Sequence, residues 1–409
     1  MALAYTDCLA RLNALAPRGI RPSILAFSRA LEALSLRFTY RRILIAGTNG
    51  KGSVSAMTAS ALRLAGLKVG LLTSPHLVDV RERIQLNGEW IATSVFAAHF
   101  DALWPIIEQF QLTYYESLVL LGVVAFERAA VDVAVLEVGM GGRFDATNAL
   151  DPQLTAITTV SFDHQAYLGT TLAEIAREKA GIVRPGVPLV CGATDDAACA
   201  VIKAICRENG APYEAVAEVV EVPIPEHLPG RHQLRNAAIA LRLLKHYQAA
   251  DPRLGDAHLM EGIRTARHPG RLQRIVETPP VYLDGAHNRE GMAALQVFLN
   301  ENHPNRLVTL IFSIMKDKDY RPISDAFSQW VSQVYFVELP EPRALDYATF
   351  AAGLSVPCER LPLDALTPAF LASLPPDRVT VICGSLYLVG TVLENLKYHL
   401  AEGRESFVK

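Results

Sequence analysis

Arg42-Ile43-Leu44-Ile45-Ala46-Gly47-Thr48-Asn49-Gly50-Lys51-Gly52-Ser53 is the stretch from which the rest of this chain is read. It opens with an apolar run of strand length and continues into a glycine-rich turn. Ser53 to Ala65 then follows as an Ala- and Leu-rich helical stretch. A turn of this kind points backbone N–H groups inward, and the N-terminus of the next helix adds partial positive charge. Lys51 can reach outer phosphates, and the Ser53 hydroxyl can bind Mg2+. Gly47, Thr48, Asn49, Gly50, Lys51, Gly52 and Ser53 are therefore candidate nucleotide contacts. Gly52 separates Lys51 from Ser53, which departs from the usual phosphate-loop spacing. The loop predicts a nucleotide and is silent on the reaction.

Working outward, apolar runs at 68–73, 131–138 and 154–160 alternate with helical stretches. Continuous runs of this length predict a parallel sheet covered on both faces, with the helices as crossovers. The pattern restarts at Val281-Tyr282-Leu283 and recurs at 307–312, 333–337 and 379–383. Between the two series the composition turns polar and basic (Arg264, Arg267, Arg271, Arg274) around His268-Pro269-Gly270. The expected class is α/β, with a P-loop-type open parallel sheet ATPase domain over 1–267. A smaller Rossmann-like α/β domain is expected over 268–409.

Composition removes several function classes. A net charge of −3 offers no basic field for nucleic acid, and Arg37 to Arg42 reads as a solvated edge before a strand. The longest apolar run, Leu118 to Phe126, is far shorter than the ~20 residues of a membrane helix. The N-terminus lacks the charged-then-apolar pattern of a signal peptide. The six cysteines form no CxxC pair, so reduced thiols in a cytoplasmic protein are expected.

Polar groups gather where the strands end. Glu137 closes one apolar run, Ser74-Pro75-His76 closes another, and Ser161-Phe162-Asp163-His164 closes a third. In an open parallel sheet, ligands bind beyond the carboxyl ends of the strands. Ser74, Glu137, Asp163 and His164 are thus expected at one rim, with oxygen donors suited to Mg2+. Lys179, within the helical stretch 172–181, reads by spacing alone as a surface lysine. In the second domain, Asp284-Gly285-Ala286-His287-Asn288 and Gly384-Ser385-Leu386-Tyr387 take the equivalent strand-end positions. Two domains of this kind suggest a cleft that closes around ATP and an acceptor.

The motifs are specific in combination. GTNGKGSV (47–54), TSPHL (73–77), ERI (82–84), EVGMGGRFDATN (137–148), DHQAYLG (163–169) and REKAGI (177–182) are followed by GRHQLRNAA (230–238) and HPGRL (268–272). LDGAHN (283–288), MKDKD (315–319), PRAL (342–345) and GSLYLVG (384–390) complete the series. In this order they resemble the folylpolyglutamate synthase and dihydrofolate synthase family, within the Mur-type ligases.

The resemblance implies an enzyme. ATP would phosphorylate a folate or pteroate carboxylate, and the α-amino group of L-glutamate would attack the acyl phosphate. It assigns Lys51 and Ser53 to phosphates, and Ser53, Ser74, Glu137 and His164 to metal. Asn236 and Arg271 become ATP contacts, with Asp284 at the ribose. His287 and Ser385 fall in the nucleotide and glutamate region, and Tyr115 and Glu116 near the pterin pocket. Lys179 matches a lysine carbamylated in the family, which would give a further metal ligand. Lys51, Glu137, His164, Lys179, Asp284 and His287 are the implied catalytic set. The implied cofactors are ATP, two Mg2+ and a monovalent cation; a monomer with no nucleic-acid or membrane partner is expected.

Two departures bear on the acceptor. The stretch from Pro212 to Gly230 is short where many relatives add a strand pair, and Arg18-Gly19-Ile20-Arg21-Pro22 lacks the usual dihydropteroate-binding form. The alternatives are a cell-wall amino-acid ligase and a non-catalytic nucleotide-binding module. The first is expected to carry a UDP-sugar domain ahead of the loop; the second has no use for Glu137, His164 and Lys179 together.

Overall fold

The computed structural model describes residues 3–216 and 222–396, so part of the shortened 212–230 stretch (217–221) lies outside the described residues. Its strands are β1 (Arg41–Ala46), β2 (Val69–Leu72), β3 (Ile84–Leu86), β4 (Glu89–Trp90), β5 (Val133–Glu137), β6 (Leu154–Ile157), β7 (Leu189–Cys191) and β8 (Tyr213–Ala215). A second series comprises β9 (Gln273–Val276), β10 (Val281–Leu283), β11 (Leu307–Phe312), β12 (Gln333–Phe336), β13 (Cys358–Arg360) and β14 (Arg378–Cys383).

The first series forms a sheet in the order β4-β3-β2-β5-β1-β6-β7-β8. From β2 to β8 its neighbours run parallel, and β3 and β4 add an antiparallel hairpin at one edge. β1 sits inside the sheet because Ile43, Leu44, Ile45 and Ala46 are buried, and backbone groups removed from water must find partners on both edges. The parallel strands are joined through helices, among them Lys51–Leu64 and Tyr114–Arg128. The second of these contains the longest apolar run, and Leu118, Val119, Leu120 and Leu121 are buried within it. Each such burial contributes roughly 1.5–3 kcal/mol. That helix starts at a capping box in which Thr113 Oγ1 accepts from the Glu116 N–H, while Glu116 Oε2 accepts from the Thr113 N–H.

The second series forms a sheet in the order β13-β12-β11-β14-β10-β9, parallel except for the edge strand β9. Its core is aromatic: Phe336 stacks on Phe350 at 4.5 Å and Phe312 meets Phe327 edge-on at 5.4 Å. The α/β class with two parallel-dominated sheets agrees with the sequence reading. The strands that reading missed are short elements of two to four residues at the sheet edges or next to them (β3, β4, β7, β8, β9, β13), which carry too little periodicity to register. β6 ends at Ile157, not at 160, because the hydroxyls of the following threonines bond to Asn49 in the loop after β1.

The chain divides into two compact units. The first comprises Met1–Ser161, Leu168–Glu226 and Leu234–Arg267; the second comprises Phe162–Tyr167, His227–Gln233 and His268–Lys409. Two short segments ahead of residue 268 thus belong to the second unit, a difference from the expected split at 267/268. Each segment carries an ion pair within that unit. Asp163 Oδ1 accepts from Lys318 Nζ at 2.6 Å, and Arg231 Nε meets the Glu301 carboxylate at 2.7 Å. Lys318 and Asp163 are only 12% and 9% exposed, so neither charge can fall back on water.

That burial generates a test. Asp163→Asn should lower the unfolding free energy by about 3 kcal/mol, the usual consequence of stranding one member of a buried pair. Adding Lys318→Met should recover most of the loss. Urea denaturation of the two single variants and the double variant measures the coupling; additive effects would mean the pair does not anchor the segment.

Candidate active site

In the first unit, three adjacent strands deliver the candidate residues at their carboxyl ends. β5 lies between β2 and β1, so Ser74 (after β2), Glu137 (ending β5) and the loop 47–53 (after β1) come from neighbouring positions in the sheet. The Ser74 N–H donates to Glu137 Oε2 at 2.9 Å, and Glu137 is 4% exposed. Ser53 is buried in the first turn of the helix Lys51–Leu64. Lys51 Nζ donates to the Gly47 and Thr48 carbonyls at 3.1 and 3.0 Å, which curls the side chain over its own loop. Asn236, from the helix Arg231–Gln248, lies against Gly50. Gly50 has φ +85°, and any Cβ there would stand 2.3 Å from Asn236 Oδ1, so glycine is required twice over.

Lys179 ends the helix Leu172–Lys179 and is 2% exposed, which overturns the surface position its spacing suggested. The loop after Glu137 is tied to this helix end, since the Arg143 N–H donates to the Glu178 carbonyl at 2.8 Å. The same loop is organised from within by Asp145. Its carboxylate accepts from the Tyr115 hydroxyl (3.1 Å), the Thr147 hydroxyl (2.5 Å) and the amides of Gly139, Met140 and Thr147 (2.9, 3.1 and 3.0 Å). Burial raises the Asp145 carboxyl above its ordinary value although these hydrogen bonds oppose it. Burial and then the Asp145 charge raise the Tyr115 phenol well above its own. Tyr115 is thus a neutral donor fixed on Asp145. The Glu116 carboxylate closes the capping box and is 7% exposed, so it helps to start the helix.

Beside Ser74, His76 Nδ1 accepts from Arg83 Nε at 2.8 Å. Burial, then the Arg83 charge, pushes the imidazole down to about 4, so the ring is neutral with its proton on Nε2.

In the second unit, Asp284 receives the Leu272 and Ala286 amides, each at 2.8 Å, and so ties the loop before β9 to the loop after β10. Arg271 lies against Gly285 and donates from Nη1 to the Gly270 carbonyl at 3.2 Å. Ser385 caps the helix Leu386–Asn395, its hydroxyl accepting from the Tyr387 N–H at 3.2 Å. His287 Nδ1–H donates to the Gly285 carbonyl at 2.7 Å, which leaves Nε2 facing Asp163 Oδ2 at 3.4 Å.

His164 falls in the segment that belongs to the second unit. There its Nε2 lies 3.4 Å from Lys318 Nζ, and its N–H donates to Asp163 Oδ1 at 2.8 Å. Asn288 Nδ2 donates to Asp163 Oδ2 at 3.3 Å. Burial works to raise the Asp163 carboxyl, but its hydrogen bond with His287 and the Lys318 charge outweigh this and hold it well below the usual carboxylate range. Lys318 is the residue to which the sequence reading gave no role, although the MKDKD segment containing it was noticed.

Among the described residues no three His, Cys, Asp and Glu side chains converge as a ready metal cage. The donors of the first unit, the Ser53 and Ser74 hydroxyls and the Glu137 carboxylate, are hard oxygens. They fit Mg2+, which keeps several waters and takes phosphate oxygens as further ligands.

Comparison with known proteins places this site in a family. Residues 45–211 match the Mur ligase middle domain, and residues 270–386 match the Mur ligase, glutamate ligase domain. The folylpolyglutamate synthase of Lacticaseibacillus casei is 34% identical over 96% of this chain and 98% of its own length. The dihydrofolate synthase/folylpolyglutamate synthase of Bacillus subtilis is 30% identical over 97% of this chain and 100% of its own. Among solved structures, E. coli FolC in complex with DHPP and ADP superposes with a TM-score of 0.88 at 28% identity, covering 96% of this chain and 97% of that one. The bifunctional enzyme of Yersinia pestis, complexed with AMPPNP and Mn ion, gives 0.85 at 29% identity, with 96% and 98% covered. The chain belongs to the folylpolyglutamate synthase/dihydrofolate synthase family of Mur ligases.

Proposed function

We propose that this chain is an ATP- and Mg2+-dependent ligase that joins L-glutamate to folates, and to dihydropteroate, through an acyl phosphate. The observation that carries this reading is the arrangement of the first unit. A buried carboxylate, Glu137, is held by the Ser74 amide on the strand next to a phosphate loop backed by Asn236.

The chemistry asks for charge neutralisation and alignment. Lys51 exchanges the loop carbonyls it now holds for phosphate oxygens, and Asn236, Arg271 and Asp284 bind the nucleotide. Ser53, Ser74, Glu137 and His164 are the residues that would hold metal. Mg2+, when bound, supplies positive charge against the transferring phosphoryl group. The acceptor carboxylate takes the γ-phosphoryl group and ADP departs. The glutamate amine then attacks the acyl carbon and loses a proton, and phosphate leaves. His287 and Ser385 belong to the glutamate side, and Tyr115, fixed on Asp145, to the folate side. Two Mg2+ and a monovalent cation, a monomeric state and a cytoplasmic location complete the proposal. Among the described residues no helix is long and apolar enough to cross a membrane.

The burial of Lys179 supports its carbamylation. Only an unprotonated amine adds CO2, and Lys179 is 2% exposed at the helix end that the loop after Glu137 crosses. The product is an anion able to bind metal.

Product analysis tests the proposal. ADP release should require L-glutamate together with tetrahydrofolate or dihydropteroate, each acceptor gaining one glutamate. Release with glutamate and a cell-wall precursor, at the same rate, would overturn the folate assignment. Lys179→Ala should lose most turnover and regain part of it with added short-chain carboxylates; no recovery would remove the carbamate from the account.

A further inference from the structure

The loop that grips phosphate is itself gripped from behind. β6 ends at Ile157, opposite Ala46, and the chain then runs alongside the loop from Thr158 to Ser161. The Thr48 N–H donates to the Thr159 carbonyl at 2.9 Å, and the Asn49 N–H donates to Thr159 Oγ1 at 3.0 Å. The Thr158 hydroxyl donates to the Asn49 carbonyl at 2.6 Å. Further along, the Ser161 N–H donates to Thr48 Oγ1 at 3.1 Å, and the Thr48 hydroxyl donates back to the Ser161 carbonyl at 3.2 Å. The approach is close enough to dictate the residue opposite. Gly47 has φ +147°, and a Cβ there would stand 1.9 Å from Thr158 Oγ1.

These bonds determine which amides can meet an anion. The N–H groups of Thr48 and Asn49 point at Thr159, away from the interior of the loop. A trans peptide is planar, with its C=O and N–H on opposite sides. Fixing the Asn49 carbonyl on Thr158 therefore turns the Gly50 N–H, which shares that peptide plane, to the side away from Thr158. In the same way, the Thr48 carbonyl that accepts Lys51 Nζ shares a plane with the Asn49 N–H on Thr159. The strap thus fixes successive peptide planes of the loop before any nucleotide arrives.

We propose that Thr158 and Thr159 are positioning residues for nucleotide binding, which preorganise the phosphate loop by locking both sides of the Asn49 residue. This rests on the reading of 47–53 as the ATP site. On this reading each threonine acts through its hydrogen bond to Asn49. Preorganisation of this kind raises affinity by removing the ordering that binding would otherwise require.

The test is calorimetric titration of the full chain with MgADP, alongside steady-state kinetics in ATP. Thr158→Ala and Thr159→Val should each weaken MgADP binding about tenfold, the effect of one lost hydrogen bond at its upper range. Thr158→Ser and Thr159→Ser, which keep the hydroxyl, should bind within about threefold of the unaltered chain. The KM for ATP should rise in parallel with the loss of affinity, while kcat at saturating ATP stays within about threefold. Lys51→Ala serves as the control for the nucleotide site itself. If the unaltered chain binds MgADP and Lys51→Ala does not, yet both threonine variants bind normally, the positioning role is wrong and the ATP site stands. A lower kcat with unchanged KM would also overturn it, because that pattern reports general destabilisation. No binding by the unaltered chain would remove the ATP site and the positioning role together.

Discussion

Everything in the first unit depends on β1 being paired on both edges. Ile45 lies opposite Glu137 on β5, and Ala46 lies opposite Ile157 on β6. This register sets the loop 47–53 between a carboxylate on one side and the threonine strap on the other. The ladders on both edges of β1, from Arg41↔Val133 to Ile45↔Glu137 and from Ile43↔Leu154 to Ala46↔Ile157, hold this register. The loop geometry is thus inherited from the sheet and not from the loop sequence alone. Between Thr158 and Asp163 the chain commits twice: first to Thr48 and Asn49, then to Lys318 and His287 in the second unit.

The two units handle charge in different ways. In the first, Glu137 and Asp145 are buried carboxylates held chiefly by backbone amides and hydroxyls. In the second, Asp163 is satisfied by an ammonium, an imidazole and an amide NH2 group. The first arrangement spends Asp145 on ordering the loop after Glu137. The second holds the Asp163 carboxyl well below the usual carboxylate range, with the Lys318 ammonium paired to it.

Much of this was legible in the sequence, and the gaps have physical causes. The strand–loop–helix at 42–65 and the polar strand ends at Ser74 and Glu137 declare themselves through local apolar runs, which the sheet preserves. The pairing of Asp163 with Lys318 spans 155 positions, and no local pattern reports it. Lys179 read as a surface residue because its helix is amphipathic, yet it sits where the Glu137 loop crosses the helix end. The role of Glu116 in starting its helix was visible locally as a Thr-x-x-Glu capping box. The threonine strap was hidden because Thr158 to Val160 looks like the end of a strand until its hydrogen bonds are traced.

On the proposed route the acceptor carboxyl is activated by ATP as an acyl phosphate before the glutamate amine attacks it. Isotope transfer reads this out directly. With a folate carrying 18O in the carboxylate that becomes amidated, one 18O atom should appear in each inorganic phosphate released. Unlabelled phosphate alongside normal glutamate addition would contradict the acyl-phosphate route and with it the account of what the loop is for.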